Sequence, residues 1–300
     1  MSKTSAWISA MRLRTLPLSL SGIILGSSVA HYNGYWNTLI FVFALITTIL
    51  FQVLSNFAND LGDGIKGTDN EDRIGPKRAV QSGIISSKEM KIAVIITAVL
   101  SFASAGMLIF LAAQNMSSAT LWFYVGLTIA SVLAAITYTV GKKAYGYHGL
   151  GDLMVLFFFG GVSVLGVYSL YAPHFLMENI LLSVFVGLMS VAVLNLNNMR
   201  DFASDSKANK NTLVVKMGPN SAKIYHALLV IIALSALAIF IQKVEKPLLN
   251  LALLPCILLL IHLRKVMSTK NAKDFDPELK KVALTTFALS LFTAIGLFLL

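Results

Sequence analysis

Long apolar segments run through this 300-residue sequence, and they constrain its fold more than any other feature. Hydrophobic residues make up 56% of the chain and charged residues only 13%, whereas a water-soluble domain has about 25% charged residues. The apolar runs are continuous rather than alternating with a period of two, which favours membrane-spanning helices over a membrane barrel. The sequence therefore predicts an all-α, polytopic membrane protein that lies in a lipid bilayer.

Nine segments are long and apolar enough to cross a bilayer, which takes about 20 residues of helix. The predicted spans are 14–32, 38–58, 91–113, 119–140, 150–172, 177–198, 223–242, 247–264 and 281–300. No linker or change in composition divides the chain, so we expect residues 1–300 to form a single transmembrane domain.

The basic residues are distributed unevenly over the predicted loops. Of the 24 Lys and Arg residues, all but Lys243 and Lys246 fall on the side of the membrane that holds the N-terminus. The positive-inside rule places such basic loops in the cytoplasm. We therefore expect a bacterial cytoplasmic (inner) membrane protein with its N-terminus inside. The net charge of +10 then reports topology, and the sequence indicates no nucleic-acid partner and no obligate protein partner.

Two acidic clusters stand where the second and sixth predicted spans run into basic loops. The first contains Asp60 and Asp63, and the second contains Asp201 and Asp205. On a helix, each pair would share one face at a C-terminal end, where the helix dipole disfavours negative charge. Ordinary helix-end polarity paired with lysines is the alternative, but repetition at two equivalent positions argues for function. Carboxylates without a Cys or His set favour Mg²⁺, so we expect both clusters to hold Mg²⁺ and, through it, a diphosphate.

The spacing of the clusters predicts a repeat, because they close spans that lie four helices apart. Two related four-helix units would place the clusters at equivalent positions. Asn56 and Asn198 lie near the clusters and could orient carboxylates or bind ligand oxygens. Arg12, at the mouth of the first span, is open to two interpretations: an anchor at the membrane surface or a ligand for a substrate carboxylate. The five histidines show no ligand spacing.

Several stretches of the chain resemble the UbiA superfamily of intramembrane aromatic prenyltransferases. Gly67 and Asn209 replace the third Asp of the two superfamily motifs. With these departures, the chain is similar to the 1,4-dihydroxy-2-naphthoate prenyltransferase branch of menaquinone biosynthesis. The similar stretches are 12–17, 55–69 with 72–76, 135–141, 145–152 and 197–213.

The resemblance implies nine transmembrane helices in two pseudo-repeated bundles around a central cavity. It implies transfer of a polyprenyl group from polyprenyl diphosphate to 1,4-dihydroxy-2-naphthoate with loss of CO₂, giving demethylmenaquinone, with Mg²⁺ as cofactor. Asp60, Asp63, Asp201 and Asp205 would chelate Mg²⁺–diphosphate. The residues expected to contact the diphosphate are Lys142, Lys210, Tyr138, Arg78, Asn56 and Asn198, and Arg12 would hold the naphthoate carboxylate.

Two alternatives to this function stay open, one from the same superfamily and one from another class of protein. One is a 4-hydroxybenzoate or other UbiA-type aromatic prenyltransferase, against which Gly67 and the stretch 197–201 argue. The other is a cation-coupled transporter, in which intramembrane carboxylates bind ions at mid-membrane. The acidic residues here cluster at the cytoplasmic ends of the spans instead, and the outer side has no matching polar gate.

Overall fold

The computed structural model describes residues 2–67, 74–75, 78–141, 144–174 and 176–299. Every regular element within these ranges is helical, and nine helices there are long and apolar enough to cross a membrane. Numbered helix 1 to helix 9 in chain order, they are Lys3–Tyr32, Thr38–Lys66, Ser87–Ala112, Ser118–Thr137, Gly151–Tyr171, Asn179–Arg200, Pro219–Val244, Pro247–Ser268 and Ala272–Phe298. The nine spans predicted from the sequence are thereby confirmed.

Helix 2 is longer than predicted, and its extra turns carry the first acidic cluster. It continues past residue 58 to Lys66 and ends at Gly67, whose φ of 69° lies in the left-handed region. Glycine adopts this conformation without a Cβ clash and so terminates helices readily. Asp60 and Asp63 therefore lie in the last two turns of helix 2, the C-terminal position that the sequence predicted.

Three of the spanning helices are irregular. Helix 1 breaks at Arg12, whose φ of 50° is left-handed. Helix 8 consists of the 3₁₀ segment Pro247–Leu253 and the α-helix Cys256–Ser268. Pro255 lies at the junction, and the helix is interrupted there because proline has no backbone N–H to donate. Helix 5 has π geometry over Leu156–Gly166. Such wide turns often occur at functional sites.

Helix 6 is the most enclosed of the nine helices and packs against helices 5, 7 and 9. Its approach to helix 5 depends on a glycine: a Cβ on Gly160 would lie 2.5 Å from the carbonyl oxygen of Ser183. Helices 2 and 3 pack along each other, with the start of helix 1 against helix 2. A second, smaller core lies there, formed by residues such as Ala6, Phe57 and Met90.

Two histidines far apart in the sequence meet inside the bundle. Nε2 of His226 in helix 7 lies 2.8 Å from Nε2 of His262 in helix 8. Nδ1 of His262 lies 2.6 Å from Oε2 of Glu278 in helix 9. All three side chains are buried. Two of the five histidines are thus close together although they are far apart in the sequence. The hydrogen-bonded row of His226, His262 and Glu278 joins three helices.

Candidate active site

Asp60 is buried and holds the chain segment that precedes helix 3. Its Oδ2 accepts a hydrogen bond from the backbone N–H of Ala79 at 3.1 Å, and its Oδ1 accepts one from Val80 at 3.0 Å. Backbone N–H groups that lack a helical or strand partner need such an acceptor when buried. The carboxylate of Asp60 therefore fixes the backbone immediately after Arg78.

Asp63, one turn further along helix 2, faces side chains instead of backbone. Its Oδ1 accepts a hydrogen bond from the hydroxyl of Tyr147 at 2.8 Å, and its Oδ2 lies 3.3 Å from Nη2 of Arg78. The positive charges of Lys210 and Arg12 also stabilise the ionised carboxylate. Asp63 is 2% exposed, so these charges act in a medium where water screens them weakly.

The second acidic cluster extends past the end of helix 6, although Asp201 and Asp205 keep the i,i+4 relation that the sequence predicted. Helix 6 ends at Arg200, Asp201 stands at the junction with φ −94° and ψ 10°, and Asp205 lies in the short helix Phe202–Lys207. The N–H of Asp205 still bonds to the carbonyl of Asp201 at 2.9 Å. The two acids therefore stay one turn apart, although the regular helix is interrupted at Asp201.

Asp201 forms a bidentate ion pair with its neighbour Arg200. Nε of Arg200 donates to Oδ1 of Asp201 at 2.8 Å and Nη2 donates to Oδ2 at 2.7 Å. The same guanidinium reaches Oδ1 of Asp276 in helix 9 at 2.6 Å and Oδ1 of Asn197 at 2.7 Å. Arg200 was not among the predicted site residues, although it lies within the stretch 197–213 that carries the family resemblance.

Lys210 lies between the two clusters. Its Nζ is 3.6 Å from Oδ1 of Asp205, and its side chain is 12% exposed. Burial opposes the charged form of Lys210, but the carboxylates of Asp63 and Asp205 outweigh it and raise the pKa of the ammonium above its ordinary value. One lysine therefore serves an acid from each cluster. The two clusters and Lys210 form a single site, which we call the acidic site.

Tyr147 joins the same site from the segment between helices 4 and 5. Nζ of Lys66 lies 4.0 Å from the centroid of its ring, and Nζ of Lys210 lies 5.6 Å from it. Its backbone carbonyl accepts a hydrogen bond from the N–H of Asn211 at 3.1 Å. Tyr147 belongs to the stretch 145–152 that carries the family resemblance, but the motif alone could not show that its ring lies close to two lysines.

A cavity of about 340 Å³ adjoins the acidic site. Asn59 and Tyr138 line its end near the acids, and Ala44 and Leu170 line it deeper in the bundle. The wall is mostly apolar, with residues from helices 1, 2, 3, 4 and 5 and a single residue, Leu194, from helix 6. An apolar ligand chain fits such a cavity, and a charged group on that ligand would lie at the acidic site if it occupied the end of the cavity near Asn59 and Tyr138.

The other residues predicted to contact the diphosphate do not all lie at the acidic site. Asn56 lines the cavity and donates from Nδ2 to the carbonyl of Met11 at 2.9 Å. Tyr138 lines the cavity and lies near Lys210, Asp63 and Asp205. Asn198 is buried in helix 6. Lys142 lies outside the described residues.

Oxygen atoms are the donors that this site offers to a metal ion, and the hard cation Mg²⁺ prefers such donors. Among the residues that the structure describes, no group of three His, Cys, Asp or Glu side chains is placed to hold a metal ion. Mg²⁺ commonly completes its shell with water and substrate phosphate rather than with protein alone. The acidic site fits a cation that arrives with a phosphorylated ligand better than one held in a cage of protein ligands.

The sequence matches the UbiA prenyltransferase family over residues 19–277. It is 42% identical to the 1,4-dihydroxy-2-naphthoate octaprenyltransferase of Escherichia coli (strain K12), over 99% of this chain and 96% of that protein. The protein of the same name from Mycobacterium tuberculosis is 30% identical over 98% of this chain and 97% of its own length.

Solved structures of UbiA homologues share the fold at lower identity. The apo form of a homologue from Aeropyrum pernix aligns with a TM-score of 0.66 at 15% identity, over 97% of this chain and 98% of that one. A homologue from Archaeoglobus fulgidus, bound to GPP and Mg²⁺, aligns with a TM-score of 0.61 at 15% identity, over 97% of this chain and 100% of that one. The nine-helix architecture is therefore shared beyond the range of clear sequence similarity.

Proposed function

Since the chain belongs to the UbiA prenyltransferase family, we propose that its acidic site binds the diphosphate of a polyprenyl diphosphate and its apolar cavity holds the isoprenoid chain. The protein transfers a polyprenyl group to 1,4-dihydroxy-2-naphthoate in menaquinone synthesis. Two relatives named 1,4-dihydroxy-2-naphthoate octaprenyltransferase are 41–42% identical to it over almost the full length of the chain. The observation that carries the site assignment is the position of Lys210 between the two clusters. Its Nζ lies 3.6 Å from Asp205 and 5.6 Å from the ring centroid of Tyr147, whose hydroxyl donates to Asp63, beside the cavity.

The leaving group of this reaction is a diphosphate, and the residues of the acidic site suit it. The allylic C–O bond breaks, its electron pair leaves with the diphosphate, and a ring carbon of the naphthoate forms the new bond to the prenyl carbon. The ammonium of Lys210 and the guanidinium of Arg78 would bind the diphosphate oxygens and stabilise the charge that develops on them. Bound Mg²⁺ supplies further neutralisation of that charge, and we propose carboxylates of the two clusters as its protein ligands.

The aromatic acceptor carries a carboxylate, and Arg12 is the residue we propose for it. Arg12 stands at the break in helix 1, and its charge acts on Asp63. A guanidinium can bind a carboxylate through two parallel hydrogen bonds. The carboxylate then leaves as CO₂, and its bonding electron pair returns to the ring. The ring stays at the hydroquinone level, so the immediate product is demethylmenaquinol, the reduced form of demethylmenaquinone. Placing the acceptor near Arg12 puts its ring close to the end of the cavity at which the C–O bond breaks.

The apolar cavity protects the reaction from water. An allylic cation that meets water gives an alcohol instead of the prenylated product, so a dry site favours transfer. Aromatic rings of Phe51, Tyr138 and Phe158 line the cavity. Their faces are electron-rich and attract cations, and they would lower the energy of the developing positive charge.

We further propose that residues 1–300 act as one multi-pass unit in the bacterial inner membrane, with the acidic site facing the cytoplasm. The sequence predicts that all but two of the 24 Lys and Arg residues fall on the side of the membrane that holds the N-terminus and the acidic site, and basic loops remain inside. Cysteine scanning with a membrane-impermeant thiol reagent tests the orientation. A cysteine at Lys207 should be protected in intact cells, and one at Glu178 should be labelled.

The transfer is tested directly with purified protein in phospholipid nanodiscs. The wild type is incubated with 1,4-dihydroxy-2-naphthoate, geranyl or a longer polyprenyl diphosphate, and Mg²⁺, and the product is identified by mass spectrometry. We expect a prenylated, decarboxylated product that EDTA abolishes, and little product when 4-hydroxybenzoate replaces the naphthoate. Product that survives EDTA would contradict the metal proposal, and a preference for 4-hydroxybenzoate would contradict the acceptor.

A further inference from the structure

The two acids of each cluster differ in what their oxygen atoms contact. Both oxygens of Asp60 accept backbone N–H groups, and both oxygens of Asp201 accept from Arg200. Asp63 and Asp205 instead share the charge of Lys210. We propose that Asp63 and Asp205 bind the metal–diphosphate directly, and that Asp60 and Asp201 are positioning residues. This inference rests on the proposed function and reassigns two of the four acids that the sequence predicts as metal ligands.

Asp60 acts on the site through Arg78. The N–H groups that Asp60 accepts belong to Ala79 and Val80, the two residues that follow Arg78. The guanidinium of Arg78 in turn reaches Asp63 at 3.3 Å. A metal ion at Asp60 would compete with both N–H groups for the carboxylate and loosen the segment that holds Arg78. Asp60 therefore contributes by fixing the direction from which Arg78 approaches the diphosphate.

Asp201 fixes the direction of the short helix that carries Asp205. Its partner Arg200 is 1% exposed and also bonds to Asp276 in helix 9. If Asp201 turned away to bind a metal ion, a buried guanidinium would lose its bidentate acceptor, and breaking a buried ion pair in this way is strongly destabilising. The pair instead fastens the end of helix 6 to helix 9, and the chain turns at Asp201 so that Asp205 comes next to Lys210.

Asp63 and Asp205 have partners that a diphosphate can take over. Lys210, Arg78 and Tyr147 reach them through the ends of long side chains. When a cation binds the two carboxylates, the ammonium, the guanidinium and the hydroxyl can donate to phosphate oxygens without backbone movement. The contacts that these two carboxylates make with described residues include neither a backbone N–H group nor a buried bidentate pair, which separates them from Asp60 and Asp201.

Magnesium binding distinguishes the two kinds of acid without relying on turnover. Isothermal titration calorimetry measures Mg²⁺ binding to protein saturated with geranyl S-thiolodiphosphate, an unreactive substrate analogue. We expect Asp63→Asn and Asp205→Asn to weaken Mg²⁺ binding by at least about tenfold, and Asp60→Asn and Asp201→Asn to stay within about threefold of the wild type. Glu178→Gln, an exposed acid at the opposite end of helix 6, controls for the loss of one charge. Weakening by Asp60→Asn or Asp201→Asn equal to that of Asp63→Asn overturns the proposal.

A double-mutant cycle tests the route from Asp60 through Arg78. The KM for the polyprenyl diphosphate is measured for Asp60→Asn, Arg78→Gln and the double variant. We expect each single change to raise KM by a similar factor and the double variant to be no worse than Arg78→Gln, because both changes remove the same contact. Effects that multiply in the double variant would show that Asp60 acts independently of Arg78, and would refute its positioning role.

Asp201→Asn leaves a buried arginine without its partner, so its folding is checked by thermal melting. The double variant Arg200→Met with Asp201→Asn removes both charges, which buried pairs often tolerate. We expect this double variant to keep Mg²⁺ binding within about threefold of the wild type, and tenfold weaker binding in folded protein overturns the assignment. The wild-type product assay is separate: absence of product would refute prenyl transfer, whereas the binding pattern alone decides between the two kinds of acid.

Discussion

The hydroxyl of Tyr147 donates a hydrogen bond of 2.8 Å to Oδ1 of Asp63, and this contact links the segment before helix 5 to the end of helix 2. The ring of the same tyrosine lies 4.0 Å from the ammonium of Lys66. Tyr147 thus holds an acid by its hydroxyl and a lysine by its face. A residue with two such contacts can be tested by removing one of them at a time.

Tyr147→Phe removes the hydroxyl and keeps the ring. A hydrogen bond to a charged group contributes about 1.5–3 kcal/mol, so we expect kcat/KM for the polyprenyl diphosphate to fall by about 10- to 100-fold. Tyr147→Leu should lower it further, because the contact with Lys66 is lost as well. Steady-state kinetics in nanodiscs measures both variants. Equal activity of Tyr147→Phe and wild type would show that the hydroxyl does not orient Asp63 during the reaction.

Lys210 should remain charged throughout the working range of pH. Its folded pKa is raised by Asp63 and Asp205, so its charge is present below the unfolded value of about 10.4 and is lost only as the pH rises through the still higher folded value. We therefore expect no ionisation of Lys210 in a kcat/KM profile between about pH 6 and pH 9.

Removal of the Lys210 charge provides the matching test. Lys210→Met leaves Asp63 and Asp205 without their shared cation, and we expect activity to fall by about 100-fold or more, the effect of losing one preorganised charge contact. Lys210→Arg keeps the charge and should retain more activity than Lys210→Met. Equal activity of the two variants would show that the charge at this position is dispensable.

Much of the fold follows from the sequence because bilayer thickness alone fixes the length of a spanning helix. The nine spans and the C-terminal position of Asp60 and Asp63 on helix 2 are confirmed by the structure. The predicted repeat of two helical units stays a prediction. Asp201 and Asp205 keep their i,i+4 relation, but they do not lie on one helix, since helix 6 ends at Arg200. A 3.6-residue period shows which residues would share a face but not where a helix ends.

The internal arrangement of the site was less accessible from sequence. Asp60 and Asp63 are three residues apart and have the same side chain, so the sequence does not distinguish them. The path of the chain before helix 3 shows that Asp60 accepts from backbone N–H groups and Asp63 contacts side chains. The sequence gave no sign that Arg200 differs from the other basic residues near the loops, although it is buried and paired with Asp201. Contacts between distant segments decide these roles, and no local pattern encodes them.

Two adjacent glycines in helix 5 provide a matched test of helix packing. A Cβ on Gly160 would lie 2.5 Å from the carbonyl oxygen of Ser183, whereas the nearest atom to a Cβ on Gly161 is 3.8 Å away. We expect Gly160→Ala to lower the melting temperature, since overpacking costs about 1–3 kcal/mol, and Gly161→Ala to leave it unchanged or raise it slightly. Thermal unfolding of both variants in the same detergent is the measurement. Equal melting temperatures would contradict the close approach of helices 5 and 6.

The depth of the apolar cavity predicts which prenyl chains a narrowed variant accepts. Asn59 and Ala44 both line it, and 15 residues of helix 2 separate them, which places Ala44 about 22 Å from the polar end. Ala44 is 1% exposed, so Ala44→Phe should fill the deep end while leaving the acidic site intact. We expect turnover of geranyl diphosphate to stay near the wild-type rate and turnover of octaprenyl diphosphate to fall by about tenfold or more. Leu39→Phe on the exposed face of helix 2 is the control and should change neither. A uniform loss for both substrates would indicate damage to the bundle, and no change for either would place the long chain outside this cavity.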